Sequence, residues 1–259
     1  MIQDFAKADQ VVIQGLRDGA YTAACLLVGR REQVLLRRAY GRLSIEEDAN
    51  AVTEQTRFDL DSITRPLVTG MLALRAMEAG KLCLNDRLDT FLYTPADKAE
   101  ITIAQLLTHT AGFAPEQHLR LQCENALEAA QAILNAPLIS PPGQSVHYGC
   151  AGYILLGQLL ECLYGAELNE LAMQEVFWPL GMRKTGYLPR EDGIAATEMQ
   201  DNGKCLQGLV YDENAQFLGG VSGHAGVFST MDDLALWMQM IAAQGELPDG
   251  SRYLSKAAI

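Results

Sequence analysis

One pair of neighbouring segments near the start of the chain has the composition of β-strands. Residues 23–28 and 34–40 are short runs rich in β-favouring side chains, and Gly29 with two arginines separates them. This pattern predicts an antiparallel hairpin. A hairpin alone is only marginally stable in water, and no strong strand pattern follows Phe228. We therefore expect a sheet that is incomplete or completed in an unusual way, and an open sheet edge would favour a homodimer or poor solubility.

Helix-forming patterns dominate the rest of the sequence. A helix is predicted wherever apolar residues recur at three-to-four spacing. Such segments are residues 3–17, 102–107, 123–134, 151–163, 168–176 and 232–243. The best-defined helix is predicted to begin with Asp61 or Ser62 as its N-cap, to carry Pro66 in its first turn and to end near Gly80.

The charge balance limits the partners of the chain. Its 259 residues include 20 Lys and Arg against 32 Asp and Glu, which gives a net charge of −12. A groove for nucleic acid needs clustered basic residues, and the densest basic run here, Arg30-Arg31 followed by Arg37-Arg38, is short. We therefore expect no nucleic-acid partner. With 49% hydrophobic and 20% charged residues, the composition is typical of a folded globular protein.

The sequence also predicts no membrane span, metal site or cofactor. No apolar run approaches the ~20 residues of a membrane-spanning helix, and the first residues lack the layout of a secretory signal. The chain as it stands is expected to be cytoplasmic, or periplasmic if a signal sequence has been removed. The six cysteines include no Cys-x-x-Cys pair, so we expect reduced core cysteines and no disulfide scaffold.

A serine at the start of the best-defined helix is the first candidate for chemistry. The Ser62 hydroxyl would lie in the positive field of the helix N-terminus. Arg65, three residues on, would lie on the same face one turn away. This arrangement suits a nucleophile beside a positive charge. The segment taken alone leaves a second interpretation open, in which Ser62 only caps the helix.

Six segments in a fixed order extend this pattern over most of the chain. They are Ser62-Ile63-Thr64-Arg65-Pro66, Leu106-Leu107-Thr108-His109-Thr110-Ala111-Gly112-Phe113, Pro142-Gly143 ahead of Tyr148, Gly152-Tyr153-Ile154-Leu155-Leu156-Gly157, Phe177-Trp178-Pro179-Leu180-Gly181-Met182, and Gly223-His224-Ala225-Gly226-Val227-Phe228-Ser229-Thr230. In the second segment, His109 and Gly112 are expected to shape the end of a helix. Together the segments resemble the serine β-lactamase and penicillin-binding-protein superfamily, in particular its class C-like branch of esterases and D-aminopeptidases. The resemblance covers about residues 20–259.

The resemblance implies an α/β fold of the α+β type, in which helices flank an antiparallel sheet. The first and last parts of the chain would form this sheet, and an all-helical lobe would be inserted between them. For a single β-lactamase-like domain over residues 1–259, residues 1–80 and about 210–259 would form the α/β lobe. Residues 81 to about 209 would form the mostly helical lobe.

The resemblance also implies roles for particular residues. In the family, the serine of a Ser-x-x-Lys motif attacks a carbonyl to form an acyl-enzyme, and the lysine and the tyrosine of a Tyr-x-Asn motif manage its proton. Ser62 would be the nucleophile and Tyr148 the tyrosine. Arg65 stands at the lysine position, where it supplies charge but cannot act as a general base because a guanidinium stays protonated. Cys150 replaces the asparagine and would line the substrate site as a weak hydrogen-bonding substitute. As a thiol it is also a candidate nucleophile, although no histidine is evident as its base.

The third motif of the family, a Lys/His-Thr-Gly segment on a late strand, has no clear counterpart. Lys184-Thr185-Gly186 spells the triplet but directly follows Pro179-Leu180-Gly181-Met182, so we interpret it as a coincidence. His224-Ala225-Gly226 belongs to the segment that leads into the helix of residues 232–243. The implied strand would lie beyond Ile259, which leaves three interpretations: a fragment, a naturally short relative, or a misplaced alignment of the last third.

The activity implied by the resemblance is acyl transfer on a small ester, amide or β-lactam through Ser62, with Tyr148 as the proton acceptor. Because Arg65 and Cys150 replace two motif residues, an inactive relative that serves as a binding or regulatory module is the alternative. An engineered replacement of the lysine is a further interpretation. We expect Ser62, Arg65 and Tyr148 to converge in one cleft between the lobes, with Cys150 on the same wall.

Overall fold

A computed structural model describes residues 5–30, 33–190 and 192–259 of the chain. Residues 3 and 4 of the first predicted helix and Arg31 of the hairpin turn lie outside these described residues. The helices are α1 (Ala6–Arg17), α2 (Met71–Glu78), α3 (Ile103–Leu107), α4 (Leu119–Gln122), α5 (Ala129–Asn135), α6 (Ala151–Tyr164), α7 (Leu168–Leu171), α8 (Glu213–Phe217) and α9 (Met231–Ala242). The strands are β1 (Ala23–Arg30), β2 (Gln33–Gly41), β3 (Phe58–Asp59), β4 (Gly186–Tyr187) and β5 (Val227–Ser229). Short 3₁₀ or π-helical turns cover Asp61–Ile63, Arg65–Gly70, Leu88–Thr90, Ala126–Glu128 and Ala172–Phe177.

The strands form two separate antiparallel sheets within the described part of the chain. β1 and β2 pair with Ala23 opposite Gly41, which confirms the predicted hairpin. β5 is the central strand of the second sheet, between β3 and β4, and it is buried along its whole length. The mixed α/β architecture with antiparallel sheets is confirmed. β4 lies within the predicted helical lobe yet pairs with β5, so the division into lobes stays a prediction.

Helix α6 lies between the two largest groups of buried side chains. Leu155, Leu156 and Leu159 pack in the core that α3 and α5 also line. Leu160, one residue further on, joins the core of α2, α7 and β5. All four leucines are fully buried. The prediction of a buried helix over residues 151–163 is therefore confirmed.

The predicted helix from Asp61 to near Gly80 is present, since residues 61–78 are helical throughout, but its first part is not α-helical and its predicted N-caps are wrong. The chain forms a 3₁₀ turn and then a π-helical turn before α2 begins. The residues that precede these two turns are Leu60 and Thr64, so neither Asp61 nor Ser62 occupies a capping position. One reason is Pro66, which has no N–H to donate and disfavours α-helical geometry in the residue before it.

The predicted helix over residues 123–134 is also wrong in its first half. Cys123 has an extended backbone, and the Asn125 side chain accepts a hydrogen bond from the Leu127 amide at 3.0 Å. An asparagine that bonds to its own backbone in this way competes with helix formation. The α-helix consequently begins only at α5. The short helix over residues 102–107 is confirmed, and Thr102 and Gln105 close it with a reciprocal capping box.

Gly112 is required where its loop passes close to the backbone of Ser140. Its φ is +86°, and a Cβ added to it would lie 2.1 Å from the carbonyl oxygen of Ser140. Gly80 has a similar φ of +67° but nothing within 4 Å of an added Cβ, so it is a matched control.

We expect Gly112→Ala to lose more stability than Gly80→Ala. The control should cost no more than the about 1–2 kcal/mol of a left-handed alanine, whereas Gly112→Ala adds a clash with backbone that cannot move freely. Urea denaturation of both variants measures the difference. Equal losses would contradict the close packing at Gly112.

Candidate functional site

The turn that carries Ser62 is hydrogen-bonded at both ends to β5, the central strand of the second sheet. The Leu60 amide donates to the Val227 carbonyl at 2.9 Å, and the Val227 amide donates to Thr64 Oγ1 at 3.3 Å. Thr64 is fully buried, and the Ser62 side chain between these two contacts is half-buried. Ser62 is thus held on a turn that is fixed at both ends.

Asp59 braces the same turn from the other side. Its Oδ1 accepts from the Asp61 amide at 2.9 Å, and its Oδ2 accepts from the Tyr211 amide at 2.6 Å. Burial raises the pKa of Asp59, although both hydrogen bonds oppose that effect. Asp61 has a φ of +43°, a left-handed conformation that is uncommon outside glycine. One carboxylate therefore joins the Ser62 turn to the loop that precedes α8.

Arg65 and Tyr148 are in direct contact. Arg65 Nη1 donates a hydrogen bond to the Tyr148 hydroxyl, and the guanidinium carbon lies 4.5 Å from the centroid of the Tyr148 ring. The same carbon lies 5.9 Å from the ring centroid of Tyr153. Arg65 is only 6% exposed, and its Nε is buried without a hydrogen-bond partner. The cation is therefore stabilised by two aromatic rings and one hydroxyl.

His109 supports Tyr148 from below. Their ring centroids lie 4.5 Å apart, and His109 Nδ1 accepts from the Gly149 amide at 3.4 Å. Burial lowers the pKa of His109, and the charge of Arg65 lowers it further, so the imidazole is neutral at pH 7. The sequence predicted only that His109 shapes a helix end. Its contact with Tyr148 depends on the left-handed φ of +59° that follows α3, and no sequence pattern signals it.

Cys150 is a buried thiol. Burial and the nearby charge of Asp212 raise its pKa to about 11, and Asn214 Nδ2 donates to its sulfur at 3.7 Å. The nucleophile is a thiolate, so this environment does not support Cys150 as a nucleophile. The Asn214 amide lies against the sulfur, but it also donates to the Gln117 carbonyl at 2.8 Å.

A buried hydrogen-bonded chain of Asp212, His224 and Ser222 was not predicted. His224 is fully buried; its Nε2 lies 2.8 Å from Asp212 Oδ1, and its Nδ1 lies 2.7 Å from Ser222 Oγ. Burial would raise the pKa of Asp212, but bonding to His224 and to backbone amides outweighs it and the pKa is lowered. Of these three residues, the sequence analysis had singled out His224, as part of the His224-Ala225-Gly226 segment.

Three of the four predicted site residues share an open cleft of about 490 Å³. Arg65, Tyr148 and Cys150 line it together with Asp212 and Asn214. Ser62 lies three residues before Arg65, on the adjoining turn. Among the hydrogen bonds of the described residues, none joins the Ser62 hydroxyl to Arg65 or Tyr148.

The Lys184-Thr185-Gly186 triplet has a structural role away from this cleft. Thr185 Oγ1 bonds to Asp233 Oδ2 at 2.8 Å and to Ser229 Oγ at 2.6 Å. Lys184 Nζ donates to the Gln55 side chain. These contacts join β4 to β5 and to the start of α9, in agreement with the interpretation of the triplet as a coincidence.

None of the helices in the described ranges is both long and apolar enough to cross a membrane. In these same ranges, no group of three or more His, Cys, Asp or Glu side chains could hold a metal ion.

Known proteins share both the sequence pattern and the fold. The family model described as Beta-lactamase matches residues 8–257. The chain belongs to the beta-lactamase family. An Escherichia coli (strain K12) protein named "Putative D-alanyl-D-alanine carboxypeptidase" is 30% identical over 272 residues, which cover 90% of this chain and 62% of that protein. The N-acetylmuramyl-L-alanine amidase of Bacillus subtilis (strain 168) is 28% identical over 291 residues, with 97% and 66% covered.

A solved structure supports the same assignment of the fold. The octameric penicillin-binding protein homologue from Pyrococcus abyssi superposes with a TM-score of 0.81 at 18% identity, over 99% of this chain and 59% of that one. The beta-lactamase-like fold and the family implied by the motifs are thus confirmed. The chain spans about two-thirds or less of the length of the curated relatives it matches.

We expect Cys150 to resist alkylation in the folded protein. Its pKa of about 11 and its burial leave almost no accessible thiolate at pH 7, whereas Cys83 and Cys162 are exposed. Iodoacetamide labelling followed by peptide mass mapping should modify the two exposed cysteines first and Cys150 only in denaturant. Rapid labelling of Cys150 in the native protein would contradict the environment described above.

Asp212 should stabilise the fold at neutral pH and lose that effect in acid. Because its folded pKa is lowered, its contribution is complete above the unfolded value of about 3.9 and is lost as the pH falls through the folded value. Asp212→Asn should cost about 1–3 kcal/mol at pH 7, and the gap to wild type should shrink below about pH 4. Urea denaturation across pH measures it, and Asp48→Asn, at an exposed position, is the control. A gap that does not change with pH would contradict the assignment.

Proposed function

We propose that the cleft carries out acyl transfer on a small ester, amide or β-lactam through Ser62, with Tyr148 as the proton acceptor. The observation that carries the proposal is the hydrogen bond that Arg65 donates to the Tyr148 hydroxyl. Arg65 lies three residues after Ser62 in the chain. Tyr148 is 57% exposed and lines the cleft. The names of the two curated relatives, a carboxypeptidase and an amidase, agree with cleavage at a carbonyl.

The proposed step for an ester requires the Tyr148 oxygen in a form that can accept a proton. Ser62 Oγ bonds to the carbonyl carbon while its proton passes to the Tyr148 oxygen. The ester C–O bond then breaks, and the leaving alkoxide takes that proton from Tyr148. Water hydrolyses the acyl-enzyme by the same proton transfers, which releases the acid and restores Ser62.

Arg65 has an electrostatic and positioning role in this proposal. Its guanidinium stays protonated, so it cannot take the proton of Ser62. It stabilises negative charge on the Tyr148 oxygen and holds the Tyr148 ring by stacking. The loss of a general base typically costs about 10²–10⁴-fold in rate, so we expect slow turnover.

A binding or regulatory module without catalysis is the second candidate function. The observation that favours it is the buried Nε of Arg65, which has no partner, because a lysine base has been replaced by a cation that can only attract charge. In this case the cleft would bind a ligand without changing it chemically.

The two candidates differ in the turnover of p-nitrophenyl acetate. We expect slow turnover by the parent chain and a rise of at least about tenfold in Arg65→Lys, short of the full 10²–10⁴. Adding Cys150→Asn should raise the rate further, because an amide would orient the new amine. Ser62→Ala and Tyr148→Phe should abolish turnover. Arg75→Lys is the matched control, because Arg75 pairs with Glu175 outside the cleft.

Covalent labelling with a fluorophosphonate identifies the nucleophilic serine. A fluorophosphonate should leave its adduct on Ser62, as located by peptide mass mapping. Ser222, which bonds to His224, is the internal competitor. An adduct on Ser222, or turnover that survives Ser62→Ala, would contradict the proposal, and absence of both adduct and turnover would favour the binding module.

A further inference from the structure

We infer that His224 is a positioning residue of the cleft, which holds Asp212 and thereby fixes the start of α8. Residues 115–118 and 211–214 line the cleft together, and we call them the α8 wall. The role of His224 rests on the proposed function for the reaction of the cleft, but not for the geometry of the wall.

Helix α8 depends on contacts from the rest of the molecule. It is five residues long, and isolated helices of this length are not stable in water. Ala215 is buried in a small apolar cluster, and Phe217 is partly buried against the larger core. With so little apolar burial, the position of α8 depends on its polar contacts.

Asp212 caps α8 and joins it to His224. Its Oδ1 accepts from the Ala215 amide at 2.8 Å and lies 2.8 Å from His224 Nε2. Burial opposes ionisation of Asp212, but its hydrogen bonds lower its pKa overall, so the carboxylate is ionised at pH 7 and only accepts. His224 Nε2 therefore carries the proton and donates it. Bonds to a charged group are stronger than neutral ones, and His224 is fully buried, so water does not compete for this bond.

The segment that carries His224 is itself fixed to the helix after Ser62. His224 Nδ1 lies 2.7 Å from Ser222 Oγ, which sets the orientation of the ring. The Gly223 carbonyl accepts from Thr69 Oγ1 at 2.7 Å, and Thr69 belongs to the same π-helical turn as Arg65. His224 thus connects the Arg65 turn to the α8 wall.

Asn214 extends this connection to the rest of the wall. Its Oδ1 accepts from the Leu119 amide at 3.1 Å, and its Nδ2 donates to the Gln117 carbonyl at 2.8 Å. The same Nδ2 lies 3.7 Å from the Cys150 sulfur. A shift of α8 would consequently move residues 117–119 and uncover the thiol of Cys150, which is 7% exposed here.

A second contact holds the same wall from the Ser62 turn. Asp59 Oδ2 accepts from the Tyr211 amide at 2.6 Å. Tyr211 is 48% exposed, so water can compete for this bond, whereas the ring of His224 is out of contact with water. We therefore expect the bond between His224 and Asp212 to contribute more to the position of α8.

The test compares the alkylation rates of two cysteines in the same chain. Cys150 reports the α8 wall, and Cys25, in the separate sheet of β1 and β2, reports a general loss of structure. Burial and nearby carboxylates raise the pKa of both thiols to about 11, so their reactivity is comparable before any change. Iodoacetamide labelling with peptide mass mapping gives the ratio of the two rates.

Two amide variants of His224 separate its two bonds. We expect His224→Asn to raise the rate of Cys150 relative to Cys25 at least about tenfold, the effect of losing one hydrogen bond to a charged group. The asparagine amide is too short to reach Asp212. His224→Gln should raise the ratio less than about threefold, because the longer amide keeps a donor near the position of Nε2.

Two further variants are the controls. Ser222→Ala keeps the bond between His224 and Asp212 and should raise the ratio less than about threefold. Tyr253→Phe removes a buried hydrogen bond to the Glu175 carbonyl, which lies outside the cleft. It should leave the ratio unchanged even where it lowers stability.

Three results would overturn the inference. They are an equal rise at both cysteines in His224→Asn, an unchanged ratio in that variant, and failure of His224→Gln to restore the ratio. If His224→Asn fails to fold, Asp212→Ser decides the question, because serine still caps a helix but does not reach His224. Loss of the Asp212 charge itself changes the pKa of Cys150, so this variant is measured by hydrogen exchange at the Leu119 amide. Exchange there should become at least about tenfold faster, and unchanged exchange would overturn the inference.

Turnover of p-nitrophenyl acetate separates this inference from the proposed function. If Ser62 supports turnover, His224→Asn should lower the rate and His224→Gln should restore it. The expected labelling without turnover in any variant would support the hold on the α8 wall while the acyl-transfer proposal fails. Turnover through Ser62 that is unchanged in His224→Asn would have the opposite meaning.

Discussion

The site depends on the hydrogen bonds between the Ser62 turn and strand β5. Val227 accepts from Leu60 and donates to Thr64, 163 positions earlier in the chain. Both partners are buried, so water does not compete for these bonds. Thr69 continues the clamp by donating to the Gly223 carbonyl at 2.7 Å. The Ser62 turn and the segment that carries His224 are therefore held together by this set of hydrogen bonds.

Arg65 is a buried cation whose neighbours suit a guanidinium. A guanidinium is planar and stacks on aromatic faces, and it is more weakly hydrated than an ammonium. The rings of Tyr148 and Tyr153 offset part of the cost of burial. The unpaired Nε shows that the compensation is incomplete. The same residue thus stabilises Tyr148 and leaves a charge in the cleft that a ligand can neutralise.

The hairpin and helix α6 could be predicted from the sequence, because alternation and apolar content are local signals. The shared cleft of Arg65 and Tyr148 was predicted from the family order of motifs. Strands β3 to β5 are two or three residues long, too short to show an alternating pattern. The bond between Asp212 and His224 joins two loop residues, and no periodicity connects them. The first half of the helix predicted over residues 123–134 does not form, because the Asn125 side chain bonds to the nearby Leu127 amide. Apolar spacing does not reveal such a bond.

The helix that follows Leu60 opens with 3₁₀ and π-helical turns in place of α-helical geometry. In a regular α-helix, residues three apart share a face, and this spacing made Ser62 and Arg65 a pair in the sequence. Here Ser62 lies in the 3₁₀ turn and Arg65 opens the π-helical turn. Single π-turns are rare and often occur at functional sites. In this chain the turn buries Arg65 against Tyr148 and leaves Pro66 exposed. The guanidinium consequently reaches the tyrosine, and within the described part of the chain no hydrogen bond joins the Ser62 hydroxyl to either residue.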